Sequence, residues 1–196
     1  MLQRNSKNQS QRGFSLIEVM VSTLIVSVSV LGMAGMQISA KRAGHEAVQR
    51  TTATSLAIDL IERMRANPEA LSSYVTTTIG GGSITAEPTP DCSYDAGNNC
   101  TPVERAEHDL WEWEQAIDGA TETRLVDGDT IAVGGLLDAT ACVAVNGGST
   151  TISVAWEGYQ SLSNPTSDSC GAGLGKYGTD DAKRQVLTMT TFITEQ

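Results

Sequence analysis

Basic residues and histidine are the scarce components of this chain, and their scarcity removes several functions at once. Beyond residue 66 there are five Lys or Arg against nineteen Asp or Glu, a local balance of −14 in a chain whose formal net charge is −10. Nucleic-acid affinity rests on Lys and Arg displacing counterions, so this acidic body is not read as a partner of DNA or RNA. The two histidines, His45 and His108, have no Cys, His or Ser constellation in the sequence, which argues against a hydrolase and leaves no catalytic residue to name. Cysteine is limited to Cys92, Cys100, Cys142 and Cys170, none in a C-x-x-C or Cys/His spacing that would hold zinc. Neither a metal set nor a cofactor is expected.

What the chain does have is concentrated at its amino end. Residues 1–13 carry Arg4, Lys7 and Arg12 and no acid. From Phe14 to Ile38 the sequence FSLIEVMVSTLIVSVSVLGMAGMQI holds one charge, Glu18, and small hydroxyl residues that a helix can satisfy on its own carbonyls. At about 1.5 Å per residue this run spans roughly 37 Å, enough for a bilayer core of about 30 Å. An uncleaved anchor or an ordinary secretory signal, cut after the apolar run near Ala34, would also contain such a stretch. Both leave Glu18 unexplained, because a carboxylate within an apolar span costs on the order of 3 kcal/mol.

The string Arg12-Gly13-Phe14-Ser15-Leu16-Ile17-Glu18-Val19 resembles the class III signal of type IV prepilins. That resemblance implies a peptidase cut between Gly13 and Phe14, N-methylation of Phe14, and a role in assembly for Glu18, which would meet the amino terminus of a neighbouring subunit. Pairing would neutralise two costly charges together.

The helical pattern continues past the membrane. Lys41 and Arg42 suit the interface, Ala43 and Ala47 follow, and Ala53, Ala57, Leu60, Ile61 and Met64 recur at three- and four-residue spacing. Asn67-Pro68 ends the helix, since the residue before proline is pushed out of the helical region. The spacing predicts a helix over 14–66, about 80 Å long, with Gly32, Gly35 and Gly44 as points of softening. The expected parts are a leader, 1–13; a transmembrane half, 14–40; an amphipathic half, 41–66; and a head, 67–196.

Within the head, residues 68–102 are rich in Thr, Ser, Gly and Pro and read as irregular connection. Glu104 to Ile117 reads as a short helix with Gly119 as its stop. Ala141–Val145 and Thr151–Trp156 flank Asn146-Gly147-Gly148 and predict a hairpin, and Arg184 to Thr194 supplies a further strand. The fold class is therefore α+β, a long amino-terminal helical spine packed on an antiparallel sheet. Four cysteines behind a membrane-targeting segment point to disulfides, and three connectivities are open. Loop closure favours Cys92 with Cys100 and Cys142 with Cys170.

Several motifs tempt a chemical reading. Gly173-Leu174-Gly175-Lys176-Tyr177-Gly178 is a literal G-x-G-x-x-G, but no helical run follows it, so it reads as a loop. Asp127-Gly128-Asp129 and Asp180-Asp181 offer hard oxygen ligands for calcium without the full ligand series of an EF-hand, and read as solvated turns. Trp111, Trp113 and Trp156 read as core rather than as a binding surface.

The spine's end (Ile58 to Asn67), the Trp111/Trp113 helix, Ile152 to Gly158 and the terminal strand together resemble the PilV type of minor pilin. That resemblance implies a subunit of a type IV pilus supporting assembly, adhesion and twitching motility. Its implied partners are other pilins, prepilin peptidase, the inner membrane and the assembly platform there. The head would lie in the periplasm before assembly and on the cell surface afterwards. Minor pseudopilins of type II secretion systems share such amino termini and form the alternative reading; a membrane-anchored periplasmic enzyme is the remaining one.

Overall fold

The computed structural model describes residues 13–84, 86–93, 96–120, 122–165 and 167–194. Of the expected leader only Gly13 falls among them, so Arg4, Lys7 and Arg12 lie outside the described residues. Helix α1 covers Leu16–Ala66, and the chain divides into two compact units, residues 1–43 and 44–196.

In the first unit α1 is apolar and its large side chains are exposed. The hydroxyls that interrupt the run do not break it. Ser22, Thr23, Ser27 and Ser29 donate to the carbonyls of Glu18, Met20, Thr23 and Ile25 at 2.7–2.9 Å, so each polar group is satisfied one turn back. Helix α1 also passes through Gly32, Gly35 and Gly44 without interruption. By length and composition it can cross a membrane.

In the second unit α1 buries Ala53, Leu56, Ala57, Leu60, Ile61 and Met64. This is the stripe that the three- and four-residue spacing predicts, with Leu56 added. Burying each of the larger members contributes about 1.5–3 kcal/mol. The helix ends at Ala66, and the side-chain amide of Asn67 donates to the Tyr74 hydroxyl (3.2 Å) and the Pro102 carbonyl (2.7 Å). One residue thereby ties the exit of α1 to the approach of the next helix.

Residues 68–102 are more ordered than their composition suggests. Pro68–Tyr74 forms a 3-10 helix that buries Ala70, Leu71 and Tyr74, and strand β1 follows at Thr76–Ile79. Thr is β-branched and suits a pleated surface, so Thr-Thr-Thr-Ile makes a strand although Gly80-Gly81-Gly82 follows at once. Ile79 is its buried anchor.

Helix α2, Pro102–Ile117, begins with a reciprocal cap. The Thr101 hydroxyl accepts the Glu104 N–H and the Glu104 carboxylate accepts the Thr101 N–H, with proline in the first turn. It ends as the sequence predicts, at Gly119: the N–H groups of Gly119 and Ala120 donate to the carbonyls of Ala116 and Gln115. Gly119 has φ +69, and a Cβ there would lie 2.0 Å from the Gly134 backbone, so only glycine closes this turn.

The sheet contains β1, β4 (Thr140–Asn146), β5 (Ser149–Glu157) and β6 (Arg184–Phe192), in the order β1-β4-β5-β6 and antiparallel throughout. Asn146 pairs with Ser149 across Gly147-Gly148, giving the predicted hairpin. A second, separate hairpin pairs β2 (Thr123–Val126) with β3 (Asp129–Ala132) around Asp127-Gly128, both at positive φ. The turn expected at Asp127-Gly128-Asp129 is therefore present, and the two short strands that flank it are the addition.

Ile152, Val154 and Trp156 face the same core as the α1 stripe, Trp113 and Ile117. The opposite face of β5 is also covered, since Ser153 and Ala155 are buried, which is why its burial departs from strict alternation. Disulfides join Cys92 to Cys100 and Cys142 to Cys170, with Cα separations of 5.9 and 5.8 Å.

Candidate functional site

The amino-terminal group is built by the start of α1. Gly13, Phe14 and Ser15 precede the first helical residue, Leu16, so the Gly13–Phe14 peptide bond lies outside the helical ladder. Gly13 and Phe14 are exposed, and among the described residues nothing beyond the adjoining ones lies within 4 Å of a Cβ placed on Gly13. A protease needs that access, because it must bind the bond in an extended form. Glu18 occupies the first turn, its N–H donating to the Ser15 carbonyl at 3.0 Å. Free N–H groups at a helix start favour a negative side chain, which gives Glu18 a local electrostatic reason to be there. Its side chain is exposed.

The second unit contains carboxylates that the sequence reading missed, and they hold loops. Glu114 on α2 is fully buried, and it accepts the N–H groups of Gly80 (2.9 Å), Ser83 (2.6 Å) and Ile84 (2.7 Å) together with the Ser83 hydroxyl (2.5 Å). Burial raises its pKa, but these hydrogen bonds outweigh burial and hold the carboxyl below its usual range. Asp118 accepts the N–H groups of Gly81 and Gly82, both at 2.8 Å. The glycine run is thus a row of donors gripped by the end of α2.

Asp168 performs the same task on the other face of the sheet. It accepts the hydroxyls of Ser153 and Thr188 (2.8 Å from Thr188) and the Cys170 N–H at 2.8 Å. Burial again raises the pKa, and Ser153, Cys170, Thr188 and the Arg184 charge bring it below the ordinary value. Arg184 is itself buried and donates to Asn164 Oδ1 and to the carbonyls of Pro165, Asp168 and Cys170. Between α1 and α2, Arg63 contacts Asp59, Asp109 and Glu112 at 3.0, 3.2 and 2.5 Å. Burial works against the Arg63 charge, yet Glu112 and Asp59 carry its pKa above the usual value. These are structural networks, since Glu114, Asp118, Asp168, Arg184 and Arg63 all find their partners within the fold.

The tempting motifs take the loop, turn and largely core positions that their sequences suggest. Gly173, Gly175 and Gly178 all have positive φ, and only the three-residue 3-10 turn Thr179–Asp181 follows them, so no helix start faces a phosphate. Asp181 accepts the Gly173 N–H at 2.6 Å, whereas Asp127 and Asp129 lie exposed at the β2–β3 turn. Trp113 and Trp156 are buried and Trp111 is half-buried. His45 stacks on Tyr159, with ring centroids 5.7 Å apart.

Comparison with known proteins points to the same two regions of the chain. Residues 8–34 match the model of the prokaryotic N-terminal methylation motif, and residues 35–111 match the model described as type IV pilin Tt1218. No curated protein and no solved structure matches the chain.

Proposed function

The chain is a type IV pilin-family protein, and from that premise we propose that it is a minor pilin of the PilV type, a low-abundance subunit that supports assembly of a type IV pilus. The family is structural rather than enzymatic, and the amino-terminal motif suits a pilin or a pseudopilin. In this reading residues 1–13 are a leader removed by prepilin peptidase and residues 14–40 anchor the subunit in the inner membrane. Residues 41–66 complete the spine, and the head, 67–196, lies in the periplasm until assembly carries it to the cell surface. Phe14 becomes the methylated first residue of the mature chain.

One observation carries the proposal. Glu18 stands in the first turn of an exposed apolar helix, four residues after the accessible Gly13–Phe14 bond. A lone carboxylate there costs about 3 kcal/mol in lipid, and a neighbour's Phe14 amine would offset that cost only on docking. The same charge that burdens insertion therefore selects correct assembly.

Glu18→Ala should insert at least as well as the native chain and still be trimmed, since the scissile bond is unchanged. It should accumulate in the membrane and be depleted from sheared filaments. Mass spectrometry of both fractions, with amino-terminal sequencing of the mature chain, makes the comparison. Equal incorporation would reject the pairing, an amino terminus other than Phe14 would reject the cleavage, and absence of the native chain from filaments would favour the pseudopilin reading.

A further inference from the structure

We propose that Glu87, Asp91 and His108 form a site for a divalent transition-metal cation of the zinc class. His108 lies on the acidic helix α2 and is 3% exposed, and among the described residues its Nε2, shielded from solvent, has no hydrogen-bond partner. Buried polar atoms are nearly always paired, so this one calls for an explanation. The ring nitrogen faces two carboxylates: Asp91 Oδ1 at 3.3 Å and Glu87 Oε1 at 3.8 Å. All three donor atoms fall within 4.8 Å of one another.

In its Nδ1–H tautomer the neutral imidazole presents a lone pair at Nε2, and that lone pair facing two anionic groups is repelled unless positive charge lies between them. A cation with bonds of about 2.0–2.2 Å to nitrogen and oxygen places tetrahedral ligands about 3.3–3.5 Å apart. The His108–Asp91 separation already matches that edge, and Glu87 closes on the same point with a small movement of an exposed side chain. The donor set also selects the ion. Calcium and magnesium take oxygen ligands, whereas imidazole with carboxylates suits zinc and its neighbours. Three protein ligands leave a fourth position for water.

The surrounding sequence positions these groups. Pro88 and Pro90 stiffen the chain between the two acids, and Cys92, immediately after Asp91, is bonded to Cys100 one residue before the α2 cap. The Asn98 side chain donates to the Asp91 carbonyl at 2.8 Å, and the Ser93 N–H donates to Asp91 Oδ1 at 2.8 Å. The disulfide thereby presents an acidic loop to the one buried histidine. A bound cation would clamp residues 87–91 onto α2.

The test uses the full chain in detergent micelles, freed of metal by a chelator and titrated with Zn²⁺ by calorimetry. One saturating ion per chain is expected, with a thermal midpoint that rises with free Zn²⁺ because the ion binds only the folded state. His108→Gln alters a buried side chain, so the deciding variants are Glu87→Gln and Asp91→Asn, which change an exposed and a half-buried group. Each should weaken binding by about tenfold or more and remove the zinc-dependent rise in midpoint, with unchanged near-UV circular dichroism. His45→Gln should bind as the native chain does. Absence of saturable binding, or equal binding by the native chain and both carboxylate variants, would overturn the site.

Discussion

The indole N–H of Trp113 donates to the main-chain carbonyl of Leu56 at 2.8 Å, inside the core. The bond joins α2 to α1 at a point where neither partner meets water. Trp113→Phe keeps an aromatic ring but removes the donor and opens space, so the protein should lose about 1–3 kcal/mol. Urea unfolding of the detergent-solubilised chain, followed by far-UV circular dichroism, checks this. An unchanged midpoint would show that the bond and the packing around it contribute nothing net.

Glu114 makes the stability of the head depend on pH with a definite sign. Its folded-state pKa lies below the ordinary carboxylate value, so its contribution is fully present above that value, near 4.3, and disappears as pH falls through the lower folded value. Glu114→Gln should therefore be less stable than the native chain at pH 7, by about 1–3 kcal/mol, and the difference should shrink below about pH 4. Unfolding midpoints across pH 3–7 test it. Amide exchange at Gly80, Ser83 and Ile84 should accelerate in the variant, because their acceptor has been weakened.

The two disulfides should differ in weight. In the chain-entropy account, the 28-residue separation of Cys142 and Cys170 is worth about 3.6 kcal/mol, and the 8-residue separation of Cys92 and Cys100 about 2.5 kcal/mol. Paired Cys→Ser substitutions should lower stability in that order. A reversed order would mean that lost packing at the small loop outweighs loop entropy.

Most of the fold could be read in the sequence where one physical signal stood alone. The charge-poor run after Phe14 and the stripe from Ala53 to Met64 specify α1, and Asn146-Gly147-Gly148 specifies the hairpin of β4 and β5. Two signals were present but unread. Thr101-Pro102-Val103-Glu104 is a capping box that fixes the start of α2 at Pro102 rather than Glu104. Leu125 to Ile131 around Asp127-Gly128 is a hairpin pattern. β1 was obscured because its four residues, three of them Thr, run directly into Gly80-Gly81-Gly82. The buried roles of Glu114 and Arg184 were beyond reach, since nothing local marks a charged residue for burial when its partners are mostly main-chain groups of loops. The meeting of Glu87, Asp91 and His108 was equally hidden, because it depends on how the Cys92–Cys100 loop turns back toward α2.

The internal bonding of Ser22, Thr23, Ser27 and Ser29 has a mechanical consequence. Each hydroxyl hydrogen is committed to its own helix, so a parallel helix lying alongside would meet no directional side-chain hydroxyl donors along that stretch. Interdigitated apolar side chains repeat with the helical turn, so dispersion contacts alone leave several axial offsets close in energy. A charge meeting its counter-charge would select among those offsets, and Glu18 is the single charge between Phe14 and Ile38 that can act as the detent.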